Sequence, residues 1–287
     1  MTTTIERIQS PSARPPAPSR ESPQRSGRPG RAADTALRTL APAAALAVLV
    51  LVWHLAAGRE SMSAAVLPSP ARVITAGWDD RVALLDATGA TLRITLLGLA
   101  GAVLIALLTA TVLSFVAPLR LMLLPLLIGA QSVPIIVLAP LFVIWFGFDS
   151  GPKIAIVAIV SMLPMTISTL QGLLAADPEA IALLRSMGAS RWKIYLRLRV
   201  PTALPHFITG LRIMSSFIVV SAIFSEYVGA RTGLGIYMQT QKNVFRTDLV
   251  FAAVIVSIAI GLTLFALTYL LEALAMPWER RRKAAQR

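Results

Sequence analysis

The sequence contains no cysteine and only two histidines, His54 and His206, which lie far apart in the chain. Without cysteine there is no disulfide framework, no thiolate nucleophile and no thiolate-held zinc or iron–sulfur cluster. Two isolated histidines form no metal-binding pattern, so no metal site is predicted. Charged residues make up only 14% of the 287 residues, against roughly 25% in a soluble domain. This shortage excludes an ordinary soluble protein.

The sequence motifs of common enzyme classes are also absent. No G-x-x-x-x-G-K-[ST] occurs and none of the four lysines follows a glycine, so the chain has no phosphate-binding loop of the Walker type. No G-x-S-x-G occurs, which excludes a nucleophile elbow. The apolar stretches hold few groups that could act as general bases. We therefore predict no catalytic residue, no cofactor bound by this chain and no enzymatic activity of its own.

Long apolar blocks dominate what is present, since 56% of the residues are hydrophobic. A helix needs roughly 20 apolar residues to cross a bilayer. The blocks that we assign to spans are residues 40–57, 94–119, 121–148, 154–176, 205–228 and 249–271. They predict an all-α integral membrane protein with six transmembrane helices.

The distribution of lysine and arginine predicts the orientation, because cytoplasmic loops are enriched in them. With both termini inside, 18 of these residues lie on the cytoplasmic side and seven lie outside, Lys153 among the latter. The chain then divides into a disordered basic tail (1–36), a first span (37–57), an external connection (58–90), a transmembrane core (91–274) and a second basic tail (275–287). The first tail has no aromatic residue among its arginines, so we expect contact with anionic lipid and not with nucleic acid.

The loop at residues 177–205 is the most informative cytoplasmic segment. Asp177 fits an N-cap and Pro178 fits the first helical position, while Glu179 faces the positive end of the helix dipole. An apolar stripe follows, and Gly188 suits a left-handed C-terminal residue. Such a helix could dock a soluble partner or lie on the inner leaflet, and the residues alone do not choose between these alternatives.

Polar residues inside the spans are candidates for a solute path, because they are costly unless they face water or a bundle interior. Serine and threonine can also bond to carbonyls of their own helix. Gln131 and Glu226 are stronger candidates than the serines, since neither is easily satisfied within its helix. The predicted path residues are Gln131, Ser132, Ser215, Ser216 and Glu226.

Several short motifs resemble, in order and at the expected depth, those of permease subunits in binding-protein-dependent ABC importers. Gly188-Ala189-Ser190, followed by Pro201 and Leu204-Pro205, resembles the cytoplasmic loop of that family. The similarity covers residues 66–278. The other matching segments are Leu67-Pro68-Ser69-Pro70, Val133-Pro134-Ile135, Ala139-Pro140-Leu141, Trp145-Phe146-Gly147, Gly210-Leu211-Arg212, Gly229-Ala230 and Gly233-Leu234-Gly235. Together they are similar to the sulfonate, nitrate, taurine and thiamine-precursor branch.

The resemblance implies a type I ABC importer permease fold, in which the loop helix is a coupling helix that contacts an ATP-binding subunit. It implies a homodimer of this chain, a separate ATP-binding subunit that uses ATP and Mg, an external solute-binding protein, and a location in the bacterial cell membrane. The coupling residues carried over are Pro178, Glu179, Ile181, Leu183, Leu184, Arg185, Met187, Gly188, Ala189 and Ser190.

One departure from the family pattern affects the expected docking. The family usually has Glu-Ala-Ala six to four residues before the glycine, whereas this chain has Ala182-Leu183-Leu184. We therefore expect docking to depend on the apolar stripe and Arg185. Leu183 to Gly188 looks more like the thiamine-precursor pyrimidine subgroup than the aliphatic sulfonate, taurine or nitrate one. A membrane scaffold that recruits a soluble protein is the alternative from another class.

Overall fold

A computed structural model of the protein describes residues 31–59 and 65–276. Residues 1–30 and 277–287 lie outside the described residues, and with them most of both predicted basic tails. Helices make up most of the described ranges and no strand occurs in them, as the sequence predicts. The chain divides into two compact units, residues 1–51 and residues 52–287.

The first unit is represented by helix α1, Arg31–Ala57, which continues past its boundary. Its apolar part, Ala43–Ala57, is shorter than the other candidate spans. From Val52 onward the helix belongs to the second unit, where Trp53 stacks on Phe251 with ring centroids 5.5 Å apart. The indole Nε1 of Trp53 also donates a hydrogen bond of 3.0 Å to the carbonyl of Pro68.

The second unit consists of helices joined by short connections. Its elements are α2 (Pro70–Asp79), α3 (Arg81–Phe115), α4 (Ala117–Ala130), α5 (Ile135–Phe146), α6 (Ser150–Leu174), α7 (Pro178–Ser186), α8 (Arg191–Ile194), a π-helical turn (Tyr195–Arg199), α9 (Val200–Glu226), α10 (Leu234–Asn243) and α11 (Thr247–Ala275). Because α8, the π-helical turn and α9 follow without a break, they form one helical segment of 36 residues, Arg191–Glu226.

Four helical segments of the described residues are long and apolar enough to cross a membrane: α3, α6, α11 and the segment Arg191–Glu226. Helices α4 and α5 qualify only as a pair, and they are bent by 103° at their junction. The block at 121–148 that the sequence assigns to the third span is therefore divided into two helices. Pro134 explains the break, since it has no N–H to donate and disfavours helical backbone at the residue before it.

Helix α3 also begins earlier than the boundary at residue 91 that the sequence predicts. It starts at Arg81, directly after α2, and runs for 35 residues. At about 1.5 Å per residue this helix is much longer than a bilayer core is thick. Part of this helix therefore extends beyond the apolar layer.

Small residues allow α3, α6 and α9 to pack closely at the centre of the second unit. A Cβ atom on Gly98 would lie 2.6 Å from the side chain of Val157, and one on Gly172 would lie 2.8 Å from the Cα of Ala203. Ala102 is completely buried on the same helix as Gly98. Small residues are typical of helix contacts in membranes, because they let backbones approach.

Helices α3 and α6 run in the same direction and α9 runs in the opposite one, which gives the bundle two ends. We call the end where α3 and α6 finish and α9 begins the α7 end, since α7 connects α6 to the segment that contains α9. The opposite end, where α6 and α11 begin and α9 finishes, is the α10 end. Each end has its own group of polar residues. Thr91, Lys153 and Glu226 lie together at the α10 end, and Ser114, Tyr195 and Arg199 lie together at the α7 end.

Candidate functional site

Helix α7 has the start and the end that its sequence predicts. The Asp177 carboxylate accepts a hydrogen bond of 2.9 Å from the backbone N–H of Glu179, and Pro178 occupies the first helical position. At the other end Gly188 has φ +78°, a conformation that favours glycine. The N–H of Ala189 then donates to the carbonyl of Leu184 at 2.9 Å. The predicted N-cap and the predicted stop at Gly188 are confirmed.

Large apolar side chains on α7 face away from the rest of the chain. Leu183 is 62% exposed and Met187 is 74% exposed, while Leu184 is half-buried. None of the residues of this helix is fully buried. The ten predicted coupling residues therefore lie on one short helix and its C-terminal turn, at Pro178, Glu179, Ile181, Leu183, Leu184, Arg185, Met187, Gly188, Ala189 and Ser190. The arrangement offers an apolar surface with one cation, Arg185, in its last turn.

The segment after α7 is fixed to the ends of the spanning helices at the α7 end. Ser190 caps α8, because its hydroxyl accepts from the N–H of Lys193 at 3.3 Å. The hydroxyl groups of Tyr195 and Thr111 of α3 share a hydrogen bond of 2.7 Å. Arg199 donates to the carbonyl of Ser114 at 3.2 Å, at the last turn of α3. The π-helical turn that follows α8 is therefore tied to the last turns of α3.

Helices α6 and α9 approach each other closely just above this loop. The hydroxyl of Ser168 donates to the carbonyl of His206 at 2.7 Å. A Cβ on Gly210 would lie 3.0 Å from the Cβ of Ser168. The two helices flanking the loop are thus held in direct contact, so the loop connects a packed pair and not two independent spans.

Glu226 occupies the centre of a polar cluster at the α10 end. It is fully buried, and its Oε2 accepts hydrogen bonds from the Thr91 hydroxyl at 3.0 Å and from the N–H of Gly235 at 2.8 Å. Thr91 in turn accepts from the N–H of Leu234 at 2.7 Å. Oε1 of Glu226 has no hydrogen-bond partner among the described residues. The carboxylate therefore joins α3, the end of α9 and the start of α10.

Glycines make room for this carboxylate. Gly233 has φ +132°, and a Cβ there would lie 2.4 Å from Cδ of Glu226. A Cβ on Gly235 would lie 2.5 Å from the carbonyl oxygen of Ile223. The Gly233-Leu234-Gly235 motif is thus explained by packing, because any side chain at either glycine would displace the turn.

Lys153, placed in an external loop by the charge count, is buried in the first turn of α6. Its ammonium group donates to the carbonyl of Phe148, to that of Asp149 at 3.2 Å and to that of Gly229 at 3.4 Å. It therefore ties the turn between α5 and α6 to the loop after α9. The charge count treats Lys153 as a solvated loop residue, whereas the structure buries its ammonium group among carbonyl oxygens.

A second polar network holds the short helices at the α10 end. The hydroxyl of Tyr237 on α10 donates a hydrogen bond to the carboxylate of Asp80, the residue between α2 and α3. Burial and the Asp80 contact raise the pKa of Tyr237 above its ordinary value, because both disfavour the phenolate. Asp248 is close to Arg246 at 3.1 Å and to Arg72 at 3.5 Å. These contacts fix α2 and α10 beside the spanning helices.

The predicted path residues lie in different environments. Gln131 and Ser132 are exposed in the break between α4 and α5. Ser215 is buried and donates to the carbonyl of Leu211 at 2.8 Å, whereas Ser216 is exposed and donates to that of Arg212 at 3.0 Å. Both serines thus make the local bond that the sequence left open as an alternative. The structure does not bring these four residues and Glu226 into one cluster.

Ser216 lines a cavity of about 530 Å³ between α9, α10 and α11. Its walls are almost entirely apolar, with Ser257 and Gly261 of α11 facing Val220 and Ile223 of α9. A second cavity, of about 260 Å³, is polar and includes Arg93, Lys153 and Arg231. The larger cavity adjoins one predicted path residue, and the polar one lies beside the Glu226 cluster.

Sequence reasoning missed the partners of the buried charges. Thr91 is one of many polar residues in apolar stretches, and no local signal identifies it as the partner of Glu226, 135 residues away. The ion pair between Arg212 and Glu272 joins α9 to α11, with the guanidinium 4.0 Å from the Tyr269 ring centre.

The described residues contain no group of three or more His, Cys, Asp or Glu side chains that could hold a metal.

The sequence of this chain is similar to the sequences of known transport proteins. The family described as the binding-protein-dependent transport system inner membrane component matches residues 102–275. The formylaminopyrimidine transport permease protein ThiX of Halalkalibacterium halodurans is 31% identical, over 85% of this chain and 98% of that protein. The riboflavin transport system permease protein RibX of Chloroflexus aurantiacus is 32% identical, over 82% and 88% respectively. The taurine transport system permease protein TauC of Escherichia coli is 30% identical, over 81% and 87%.

A solved structure shares the fold. An inward-facing form of the MetNI methionine ABC transporter matches with a TM-score of 0.58 at 20% identity, covering 68% of this chain and 97% of that one. The family and the long apolar helices identify a multi-pass inner-membrane protein. Permease subunits of this kind are not enzymes, since ATP is hydrolysed by a separate subunit. This chain therefore belongs to the binding-protein-dependent transport system inner membrane component family, as a permease subunit of an ABC importer.

Proposed function

We propose that this chain forms the translocation path for a small organic solute and that α7 is the coupling helix that contacts the ATP-binding subunit. The observation that carries the proposal is the exposed apolar surface of Leu183 and Met187 on a well-capped helix between two spanning segments. Exposed apolar side chains at such a position favour burial against a partner. The coupling surface comprises the ten residues from Pro178 to Ser190 named above.

The proposed topology has six spans with both termini inside, so that the α7 end is cytoplasmic. The 15-residue apolar part of α1 and the bent pair α4 and α5 supply the two spans beyond the four long ones. Residues 91–274 form the permease core, 37–57 the first span and 58–90 an external connection. The basic tails at 1–36 and 275–287 favour this orientation.

The proposed assembly contains two copies of this chain, two ATP-binding subunits that use ATP and Mg, and an external solute-binding protein. Exposed apolar residues of α5 and α11, such as Val137 and Leu262, face lipid or the second copy. Gln131, Ser132, Ser215, Ser216 and Glu226 are the proposed polar residues of the path. Among them, Ser216 lines the cavity between α9 and α11, and Glu226 is proposed to act by holding the outer end of the path.

The proposed solute is a thiamine-precursor pyrimidine. Leu183 to Gly188 resembles that subgroup, and the permease named for formylaminopyrimidine aligns over nearly its whole length. An aliphatic sulfonate, taurine or nitrate is the alternative, which the comparable similarity to a taurine permease favours. Uptake of labelled formylaminopyrimidine and labelled taurine in cells that lack this chain separates the two. Loss of taurine uptake alone would overturn the pyrimidine assignment.

Co-purification of the ATP-binding subunit tests the coupling surface. Leu183→Asp places a charge on the exposed apolar side of α7 and is expected to release that subunit while the chain stays inserted. Val82→Asp is the matched control, because Val82 is also an exposed apolar residue but lies at the α10 end. Equal co-purification of Leu183→Asp and Val82→Asp would contradict the coupling assignment. A recruiting scaffold would retain the partner yet show no solute-stimulated ATP hydrolysis after reconstitution.

A further inference from the structure

Three arginines surround a small cavity at the α7 end. The cavity has a volume of about 110 Å³ and is lined by Arg185 of α7, Arg191 and Ile194 of α8, Arg199 of the π-helical turn, and Ser114 and Phe115 of α3. No carboxylate lines it. In the described ranges none of the three arginines forms an ion pair with an acidic residue, since the recorded pairs involve Arg72, Arg212 and Arg246. Three like charges at one cavity repel one another, so a bound anion would stabilise them.

The three arginines differ in their burial and in their hydrogen bonds to the rest of the protein. Arg199 is half-buried and donates to the Ser114 carbonyl at 3.2 Å, so its position is fixed. Arg185 and Arg191 are exposed. Guanidinium groups match the geometry of phosphate oxygens, because each presents several N–H donors in one plane. The cavity is therefore suited to one phosphate group held between Arg185 and Arg191.

Aromatic residues place this cavity at the membrane surface. Phe115 is the last residue of the spanning helix α3, and its ring lies 6.0 Å from that of Trp192 and 5.0 Å from that of Tyr195. Trp192 and Leu196 are exposed beside it. Tryptophan and tyrosine are enriched where the apolar layer meets the headgroups. A cavity lined partly by Phe115 therefore lies at headgroup depth, where phosphodiesters are abundant.

We infer that the cavity formed by Arg185, Arg191 and Arg199 binds the phosphodiester headgroup of an anionic phospholipid, with its acyl chains along Phe115 and Trp192. Basic pockets between spanning helices recognise such headgroups. The headgroup's negative charge offsets part of the positive charge of the three arginines, and the lipid packs under the connection between α7 and α8. The inference depends on the proposed function only in assigning the lipid to the cytoplasmic leaflet. Lipid binding can be measured on the isolated chain, whether or not α7 couples to an ATP-binding subunit.

Native mass spectrometry of the delipidated full-length chain, titrated with phosphatidylglycerol or phosphatidylcholine, tests the inference. The chain is expected to retain phosphatidylglycerol in preference to zwitterionic phosphatidylcholine. Arg191→Gln is expected to weaken that binding about fivefold, the change that corresponds to ~1 kcal/mol per basic residue at an anionic surface. Arg197→Gln is the matched control, because Arg197 is an exposed arginine of the adjacent turn that does not line the cavity. If Arg191→Gln purifies poorly, Arg185→Gln replaces it.

Three outcomes would overturn the inference. Equal weakening by Arg191→Gln and Arg197→Gln would show a diffuse charge effect instead of a site. Complete displacement of the lipid by inorganic phosphate would identify a site for a free anion. Release of the lipid when the ATP-binding subunit docks, together with loss of docking in Arg191→Gln, would show that an acidic residue of that subunit is the true occupant.

Discussion

The hydroxyl of Thr91 donates a 3.0 Å hydrogen bond to the carboxylate of Glu226, and both side chains are fully buried. The two residues belong to different spanning helices, α3 and α9. A buried carboxylate is costly unless it is hydrogen-bonded, and here the N–H of Gly235 supplies the second donor. The contact therefore fixes the start of α10 to two spans at once, at the end of the bundle opposite α7.

Gly233→Ala should disrupt this cluster. The added Cβ would lie 2.4 Å from Cδ of Glu226, and φ of +132° is unfavourable for alanine. Backbone strain of this kind costs about 1–3 kcal/mol, to which displacement of Glu226 adds. We expect a fall in the melting temperature of the detergent-solubilised chain and a large loss of solute uptake. Both are measured on protein inserted at the wild-type level.

Gly89→Ala is the control for that substitution. Gly89 is exposed on α3, with no atom within 4 Å of an added Cβ. Alanine is favoured over glycine in a helix by about 1 kcal/mol, so the control should be neutral or slightly stabilising. A Gly233→Ala chain that melts and transports like Gly89→Ala would refute the role assigned to the cluster.

Lys153→Met tests the second contact at the α10 end. Methionine keeps much of the length of the side chain. It removes the ammonium group that donates hydrogen bonds to the carbonyls of Phe148, Asp149 and Gly229. Loss of a buried, charged hydrogen-bond donor costs about 1–3 kcal/mol, which corresponds to a fall in melting temperature of roughly 5 °C. Thermal unfolding in detergent provides the measurement.

The exposed Lys193 of α8 provides the comparison, as Lys193→Met removes the same charge without a buried contact. We expect its melting temperature to stay within about 1 °C of the parent chain, because surface substitutions have small effects. Similar losses for the two variants would mean that net charge, and not the carbonyl contacts of Lys153, sets the stability.

Local features of the fold could be predicted from the sequence. Asp177 and Gly188 bound α7 as expected, because an N-cap and a left-handed glycine act within one turn of helix. The apolar blocks gave the long helices for a similar reason, since bilayer thickness sets their length. Such features depend on neighbours in the chain and need no knowledge of tertiary contacts.

Features that depend on distant residues could not be predicted. From the sequence, Lys153 looks like a solvated cation in a loop. Only the fold brings the carbonyl of Gly229, 76 residues later in the chain, within hydrogen-bond distance of it. Pro134 marks a break in the helix, but the 103° bend could not be predicted, because both sides of the break are apolar and give no indication of the angle. The arginine cavity likewise combines residues of α3 and the α7 to α9 segment that share no motif.

The ion pair between Arg212 and Glu272 permits a double-mutant cycle across α9 and α11. Arg212 also stacks on Tyr269, so the guanidinium has an anion and an aromatic face as neighbours. Both charged side chains are about three-quarters buried, which reduces screening by water. We expect Arg212→Gln and Glu272→Gln to be coupled by about 0.5–1.5 kcal/mol, the range between exposed ion pairs and strong polar contacts in membranes.

Thermal unfolding of the parent, both single variants and the double variant gives the coupling energy directly. Arg212→Lys keeps the charge but loses the planar group over Tyr269, and should recover only part of the stability. Because high salt screens ion pairs more than ring contacts, added salt should reduce the Arg212 and Glu272 coupling and leave the difference between arginine and lysine in place. Strict additivity of the two glutamine substitutions would show that α9 and α11 are held by apolar packing alone.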